Sequence, residues 1–243
     1  MQAIILAGGF GTRLPLDGGM PKPMAPVAGR PFLHWLLDFL LSQGVTEAVL
    51  CLHHRHEIIR EYFGETFDGM RLRYYIEEQA RGTGGAIAAA LAQLAPREPV
   101  LALNGDSLVQ LDYRAMLAAH ARAGRRITMA AHRVEDCGRA SKLTVHNGEV
   151  LRFELLGGAG GGIISAGFYV LSPDVFDGFT LPDVFSFERD FLSPHVPSLL
   201  PAAYEAVEYF IDIGTPEDYA RAQTEVPQRM SAPYLVREGL LNP

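Results

Sequence analysis

Apolar residues first occur as short unbroken runs separated by amphipathic stretches. Residues 2–7, Ala48–Leu52 and Val100–Leu103 are such runs, Leu72–Ile76 is one interrupted by Arg73, and each predicts a strand, the first of them buried. Between them, Phe32, Leu33, Leu36, Leu37, Phe39 and Leu40 recur at helical spacing until the chain reaches Gly44. Trp35 and Phe39 share that helix and are expected in the core. Further helices are predicted over Glu57–Phe63, from Gly84 onward with Ile87, Ala90, Leu91 and Leu94 inward, and over residues 112–123. Such alternation implies a largely parallel sheet with helices on both faces.

The pattern then changes. Ile127–His132, Leu143–His146, Val150–Phe153 and Ile163–Leu171 read as successive strands joined by turns such as Asn147-Gly148. A strand near 205–211 and a helix from Pro216 to about Glu225 close the fold. Residues 226–243 carry no strong period and are expected to form a peripheral tail beside one domain over residues 1–225. The predicted class is α/β: Rossmann-like, three-layer α/β/α, with a mainly parallel central sheet and an added antiparallel region in the second half.

Composition narrows the function classes. A net charge of −7 over 243 residues leaves no basic footprint for nucleic acid, so a phosphorylated substrate has to be met by local cations. Cys51 and Cys137 are the two cysteines, and Cys51 lies in an apolar run where a reduced, buried thiol is expected. No apolar stretch reaches membrane-spanning length, and a soluble cytoplasmic protein is expected. Whether copies pair as a homodimer is left open.

The first strand ends in Gly8-Gly9-Phe10-Gly11-Thr12-Arg13-Leu14, and Pro21-Lys22-Pro23 follows. Glycines let backbone N–H groups approach an anion closely, and the two cations supply charge for phosphate oxygens. The spacing excludes a P-loop, because no lysine follows Gly11. It also excludes the dinucleotide fingerprint, because Leu14 stands where a third small residue is needed. Asp106 and Asp212 each end an apolar run and could share a divalent cation. Alone, they read as readily as a turn aspartate and a helix N-cap. His53, His54 and His56 fall at a strand-to-helix junction without a matching ligand framework and read as a solvated junction. No Ser–His–Asp or Cys–His arrangement supports a covalent nucleophile.

The opening segment resembles the signature of the sugar-1-phosphate nucleotidyltransferases (nucleoside-diphosphate-sugar pyrophosphorylases), G-x-G-T-R-L…P-K-P. Gly29-Arg30-Pro31-Phe32-Leu33, Gly82-Thr83-Gly84-Gly85-Ala86-Ile87 and Phe185-Ser186-Phe187-Glu188-Arg189-Asp190 carry the likeness further, toward the D-glycero-α-D-manno-heptose 1-phosphate guanylyltransferases. The likeness runs from Met1 to about Gln223 and is poor between about 138 and 165.

The resemblance implies a nucleotidyltransferase fold and a reaction. A sugar 1-phosphate oxygen attacks the α-phosphorus of a nucleoside triphosphate, GTP for this group, and pyrophosphate leaves. It implies Arg13 at the leaving pyrophosphate, Lys22 between the reacting phosphates, and Mg²⁺ on Asp106 and Asp212. Nucleotide contacts are implied at Leu6, Ala7, Gly8, Gly9, Gly11, Thr12, Glu78, Gln79, Gly82, Thr83, Asn104 and Gly105, with Glu78 or a nearby carbonyl reading guanine. The helix opening near Gly84 would offer unpaired N–H groups to an anion. Sugar-phosphate contacts are implied at Lys142, Glu154, Ser165, Gly167 and Glu188.

The chain departs from the pattern on the sugar side. Leu155 stands for the lysine of the usual Glu-Lys pair, Ser165 for an asparagine, and Ala80-Arg81 for Pro-Leu. Lys142 is the candidate replacement cation. The alternatives are a mannose or other hexose 1-phosphate as substrate, or a regulatory subunit that binds nucleotide without turnover.

Overall fold

The structure, a computed structural model, describes residues 1–9 and 19–237, with side chains as far as Met230. Strand β1 (Gln2–Leu6) is followed by a 3-10 turn at Lys22–Met24, a hairpin of β2 (Pro26–Val27) and β3 (Arg30–Pro31), α1 (Phe32–Ser42), β4 (Glu47–Leu52), α2 (His56–Phe63), β5 (Thr66–Phe67) and β6 (Met70–Ile76). Next come α3 (Gly82–Leu94), β7 (Val100–Asn104), β8 (Ser107–Gln110), α4 (Tyr113–Ala123), β9 (Ile127–Val134), β10 (Lys142–His146), β11 (Glu149–Glu154) and β12 (Gly162–Leu171). A π-helical turn at Phe187–Leu192, α5 (Ser193–Leu199), β13 (Ala202–Tyr204), β14 (Tyr209–Asp212) and α6 (Pro216–Arg237) complete the chain.

These elements divide between two compact units that alternate along the sequence. One comprises Met1–Glu78, Asn104–Leu108 and the chain from Ile211 onward; the other comprises Gln79–Leu103 and Val109–Phe210. In the first unit β1, β4 and β6 run parallel, and the short β5 lies antiparallel along β6. Ala3, Ile4, Ile5 and Ala48 to Leu52 are buried without alternation, as expected of strands covered on both faces. In the second unit the strand order is β10-β11-β13-β9-β12-β7, with β12 antiparallel to both β9 and β7. The change from parallel to antiparallel pairing therefore follows the change in the hydropathy pattern.

Three expectations need correction. The strand near 205–211 is two strands, because Ala202–Tyr204 pairs parallel with β9 while Glu208 turns its N–H to the Gln110 carbonyl at 2.9 Å. Helix α6 does not stop at Glu225 but runs to Arg237, with Ala222, Val226 and Met230 buried at four-residue spacing. One apolar residue per turn is too thin a stripe to read from sequence. Trp35 is half-buried rather than core: its indole N–H donates to the Val27 carbonyl at 2.9 Å, and the Arg30 guanidinium lies 5.4 Å over its ring. Phe39 is buried, as expected.

Both cysteines are free and buried, and burial pushes the Cys51 thiol up, far from the thiolate. No helix among the described residues is long and apolar enough to cross a membrane.

Candidate active site

Lys22 is fixed by a short chain of local constraints. Prolines on either side restrict the backbone, and the Met24 and Ala25 N–H groups close the turn onto the Pro21 and Lys22 carbonyls at 2.8 and 3.0 Å. The hairpin that follows is held by α6, whose Tyr219 hydroxyl and Gln223 amide both donate to the Pro26 carbonyl, at 2.6 and 2.9 Å. Lys22 then donates to Asp106 Oδ2 at 2.7 Å and to Asp212 Oδ1 at 3.0 Å. The lysine side chain is 9% exposed and each carboxylate 33%.

The two aspartates are set by backbone. Gly105 donates to the Leu6 carbonyl at 2.8 Å, which brings Asp106 to the end of β1. Glycine suits the close approach, since a Cβ would crowd the Ala7 Cβ at 3.0 Å and the Leu6 oxygen at 3.1 Å. The Asp106 carbonyl accepts the Ile213 N–H at 3.1 Å, so the two aspartates share one backbone tie. The N-cap alternative for Asp212 fails, because Thr215 caps α6: its hydroxyl accepts the Asp218 N–H at 3.1 Å. Among the described residues no three His, Cys, Asp or Glu side chains form a metal-binding group. The two aspartates are bridged by the Lys22 ammonium.

Gly8 and Gly9 follow β1, and Glu78 is exposed beyond the end of β6. Ala7 and Glu77 tie their N–H groups to the Cys51 and Leu52 carbonyls of β4, at 2.9 and 2.8 Å. Gly11, Thr12 and Arg13 lie outside the described residues. His53 is not solvated as expected: half-buried, it donates from Nδ1 to the Glu77 carbonyl at 2.7 Å.

In the second unit Gly82 and Thr83 are exposed at the start of α3, and Gln79 is exposed before them. The expectation of an open helix N-terminus at Gly84 is overturned, because the Gly84 and Gly85 N–H groups already donate to the Phe185 carbonyl at 2.9 and 3.4 Å. The Thr83 hydroxyl accepts the Phe187 N–H at 2.9 Å. A Cβ on Gly84 would fall 2.1 Å from Phe185 Cε2. Gly84→Ala is expected to destabilise by about 1–3 kcal/mol, seen as a fall in melting temperature on the order of 5 °C.

The sugar-side residues also gather in this unit. Lys142 lies opposite both Glu154 and Ile164 across neighbouring strands, and Ser165 donates its N–H to the Ser141 carbonyl at 2.8 Å. Glu188 accepts the Tyr169 hydroxyl at 2.5 Å and the Ser141 hydroxyl at 3.0 Å. Ser165 Oγ lies 3.1 Å from the Tyr169 hydroxyl and accepts the Gly167 N–H at 3.3 Å. Burial and the Glu188 charge hold the Tyr169 hydroxyl well above its ordinary pKa, so it stays a proton donor to that carboxylate. Sequence reasoning missed Tyr169 and Ser141. Their only signal was position: Tyr169 lies two residues past Gly167 and Ser141 just before Lys142. The side chain of Lys142 reaches Gly162 beside the Cys137 thiol, where a Cβ would meet Lys142 Cε at 3.0 Å and Cys137 Sγ at 2.9 Å.

Comparison with known proteins identifies the family. Residues 2–229 match the Nucleotidyl transferase family. The chain is 36% identical to a D-glycero-alpha-D-manno-heptose 1-phosphate guanylyltransferase of Aneurinibacillus thermoaerophilus, over 93% of this chain and 98% of that one. It is 38% identical to a protein of the same name from Campylobacter jejuni, over 90% and 97%. Among solved structures it is similar to HddC from Yersinia pseudotuberculosis complexed with GMP-PN, with a TM-score of 0.80, 34% identity, and coverage of 92% and 98%.

Proposed function

We propose a specific reaction for this chain, which belongs to the Nucleotidyl transferase family: transfer of GMP from GTP to D-glycero-α-D-manno-heptose 1-phosphate, with release of pyrophosphate. The observation that carries the chemistry is the single ammonium of Lys22 joining Asp106 and Asp212. The names printed for the relatives at 36% and 38% identity support the choice of base and sugar.

A sugar 1-phosphate oxygen attacks the α-phosphorus, and a new P–O bond forms as the α–β bridging bond breaks. Pyrophosphate leaves with the electron pair, and no protein nucleophile is required. The protein's work is alignment of two anions that repel each other. Lys22, held between prolines and nearly buried, supplies fixed positive charge where those anions meet. Arg13 is assigned to the leaving pyrophosphate.

Asp106 and Asp212 fit a divalent cation: two oxygen donors, each a third exposed, turned to one point. Mg²⁺ held there would neutralise phosphate charge as it shifts to the leaving group. Lys142, Glu154, Ser165, Gly167 and Glu188 are assigned to the sugar phosphate, and the reaction to the cytoplasm.

The test is pyrophosphate release with Mg²⁺, crossing GTP, ATP, UTP, CTP and dTTP against heptose, mannose and glucose 1-phosphates. Release confined to GTP and the heptose is expected; release with another pair would discard the specificity and keep the mechanism. Glu78→Gln is expected to lower the preference for GTP over ATP about tenfold, through loss of a charge-assisted hydrogen bond to guanine. An unchanged preference would remove Glu78 from base reading.

A further inference from the structure

The segment at the end of β4 lies close to Gly8 and to Gly19. A Cβ on Gly8 would stand 3.2 Å from the His53 backbone nitrogen and 3.3 Å from the His53 Cβ, so Gly8 sits directly on that segment. A Cβ on Gly19, three residues before Lys22, would stand 3.7 Å from both Cζ and Nη2 of Arg55 and 3.8 Å from its Nε. Three guanidinium atoms at nearly equal distance mean that the flat face of the group is turned to Gly19. Its N–H donors, which lie in the plane, are directed elsewhere. Among the described residues the Arg55 guanidinium forms no hydrogen bond or ion pair, and the residue is exposed; only its backbone carbonyl is used, accepting the Ile58 N–H at 3.2 Å.

Arginine is a poor local choice at this position on two counts. The backbone is left-handed, with φ 52° and ψ 37°, where glycine or asparagine is easier. Residue 55 is also the N-cap of α2, and its side chain makes no cap bond there. Local structure therefore gives no reason for a guanidinium here, whereas the chemistry of the neighbouring segment does. A bidentate planar donor suits phosphate oxygens. The N-terminus of α2 adds a partial positive charge of the same sign.

We propose that Arg55 is a further binding residue for the outer phosphates of the nucleoside triphosphate, and for the pyrophosphate that leaves. The inference rests on the nucleotidyl-transfer reading above and assigns a contact from the β4–α2 junction, outside the signature motif. No added covalent step is involved.

Steady-state kinetics of Arg55→Ala and Arg55→Lys test it, with Arg60→Ala as the charge control. Arg60 lies at the other end of α2, its guanidinium 5.6 Å over the Tyr74 ring. In Arg55→Ala the KM for GTP and the inhibition constant for inorganic pyrophosphate are both expected to rise about tenfold or more. The KM for the sugar 1-phosphate should stay within about twofold. Lysine should restore part of the loss, since it keeps the charge but not the fork, and Arg60→Ala should match the wild type. The proposal is overturned if GTP and pyrophosphate constants stay at wild-type values, if Arg60→Ala raises them equally, or if the sugar phosphate constant rises as far.

Arg55→Gln serves if the alanine variant fails to fold. Failure of the functional reading is seen separately, as a wild-type protein that releases no pyrophosphate from any triphosphate. Arg55 is then judged by the melting shift that inorganic pyrophosphate gives with Mg²⁺. A shift that shrinks in the variant supports the assignment; an equal shift, or none in the wild type, overturns it.

Discussion

Lys22→Met is expected to reduce kcat/KM for pyrophosphate release about 10²–10³-fold, the range seen when one preorganised positive group is taken from a developing anionic transition state. Methionine keeps most of the stem volume, so the lost element is the ammonium that donates at 2.7 Å to Asp106 and 3.0 Å to Asp212. Arginine should not rescue, because the site is nearly closed and its reach is set by the turn at Lys22–Met24. The change also leaves two carboxylates facing one another. Removing one partner of a fully buried pair costs about 3–5 kcal/mol, but these carboxylates are 33% exposed, so a smaller loss is expected. The double variant Lys22→Met/Asp212→Asn separates the two effects: melting temperature should recover while turnover stays low. Recovery of turnover in the double variant, or wild-type rates in the single one, would show that the ammonium serves stability alone.

Asp106→Asn is expected to lower turnover by about 10³-fold or more while leaving the fold intact. The fold survives because the ties at this position are main-chain: Gly105 to the Leu6 carbonyl, and Ile213 to the Asp106 carbonyl. Turnover falls because asparagine removes one of two anionic oxygens available to a divalent cation and leaves Lys22 with a single carboxylate partner. Two measurements check this. Melting temperature should stay close to wild type, and the Mg²⁺ concentration for half-maximal rate should move up steeply. Asp106→Asn/Asp212→Asn should be little worse than either single change, since the two act as one unit. A variant that keeps normal rates and a normal Mg²⁺ response would remove Asp106 from the reaction.

Much of the first unit could be read directly from residue order. Nearly unbroken apolar runs gave β1 and β4, because strands covered on both faces need no alternation, and the glycine turn gave the end of β1. Asp106 and Asp212 could be singled out because each ends such a run. Their shared bond to Lys22 could not, since 84 and 190 residues separate them from the lysine. The second unit was harder to read. The Phe185 carbonyl that closes the helix start at Gly84 comes from a segment about a hundred residues away, so Gly84 looked like an open anion site. Tyr169 looked like one more strand residue until its hydroxyl proved to join Glu188 and Ser165.

The sequence by itself determined the main strands and helices up to Leu171, the change from parallel to antiparallel pairing, the family, and the residue kinds on which the chemistry rests; it did not show α5 or the π-helical turn before it. Hydropathy period and short motifs are local, and these properties are local too. The tertiary structure alone decided which residues meet: Lys22 with its two aspartates, Phe185 over Gly84, and Arg55 beside Gly19. Each is a contact between segments far apart in the chain, fixed by packing and backbone hydrogen bonds that no neighbouring residue encodes.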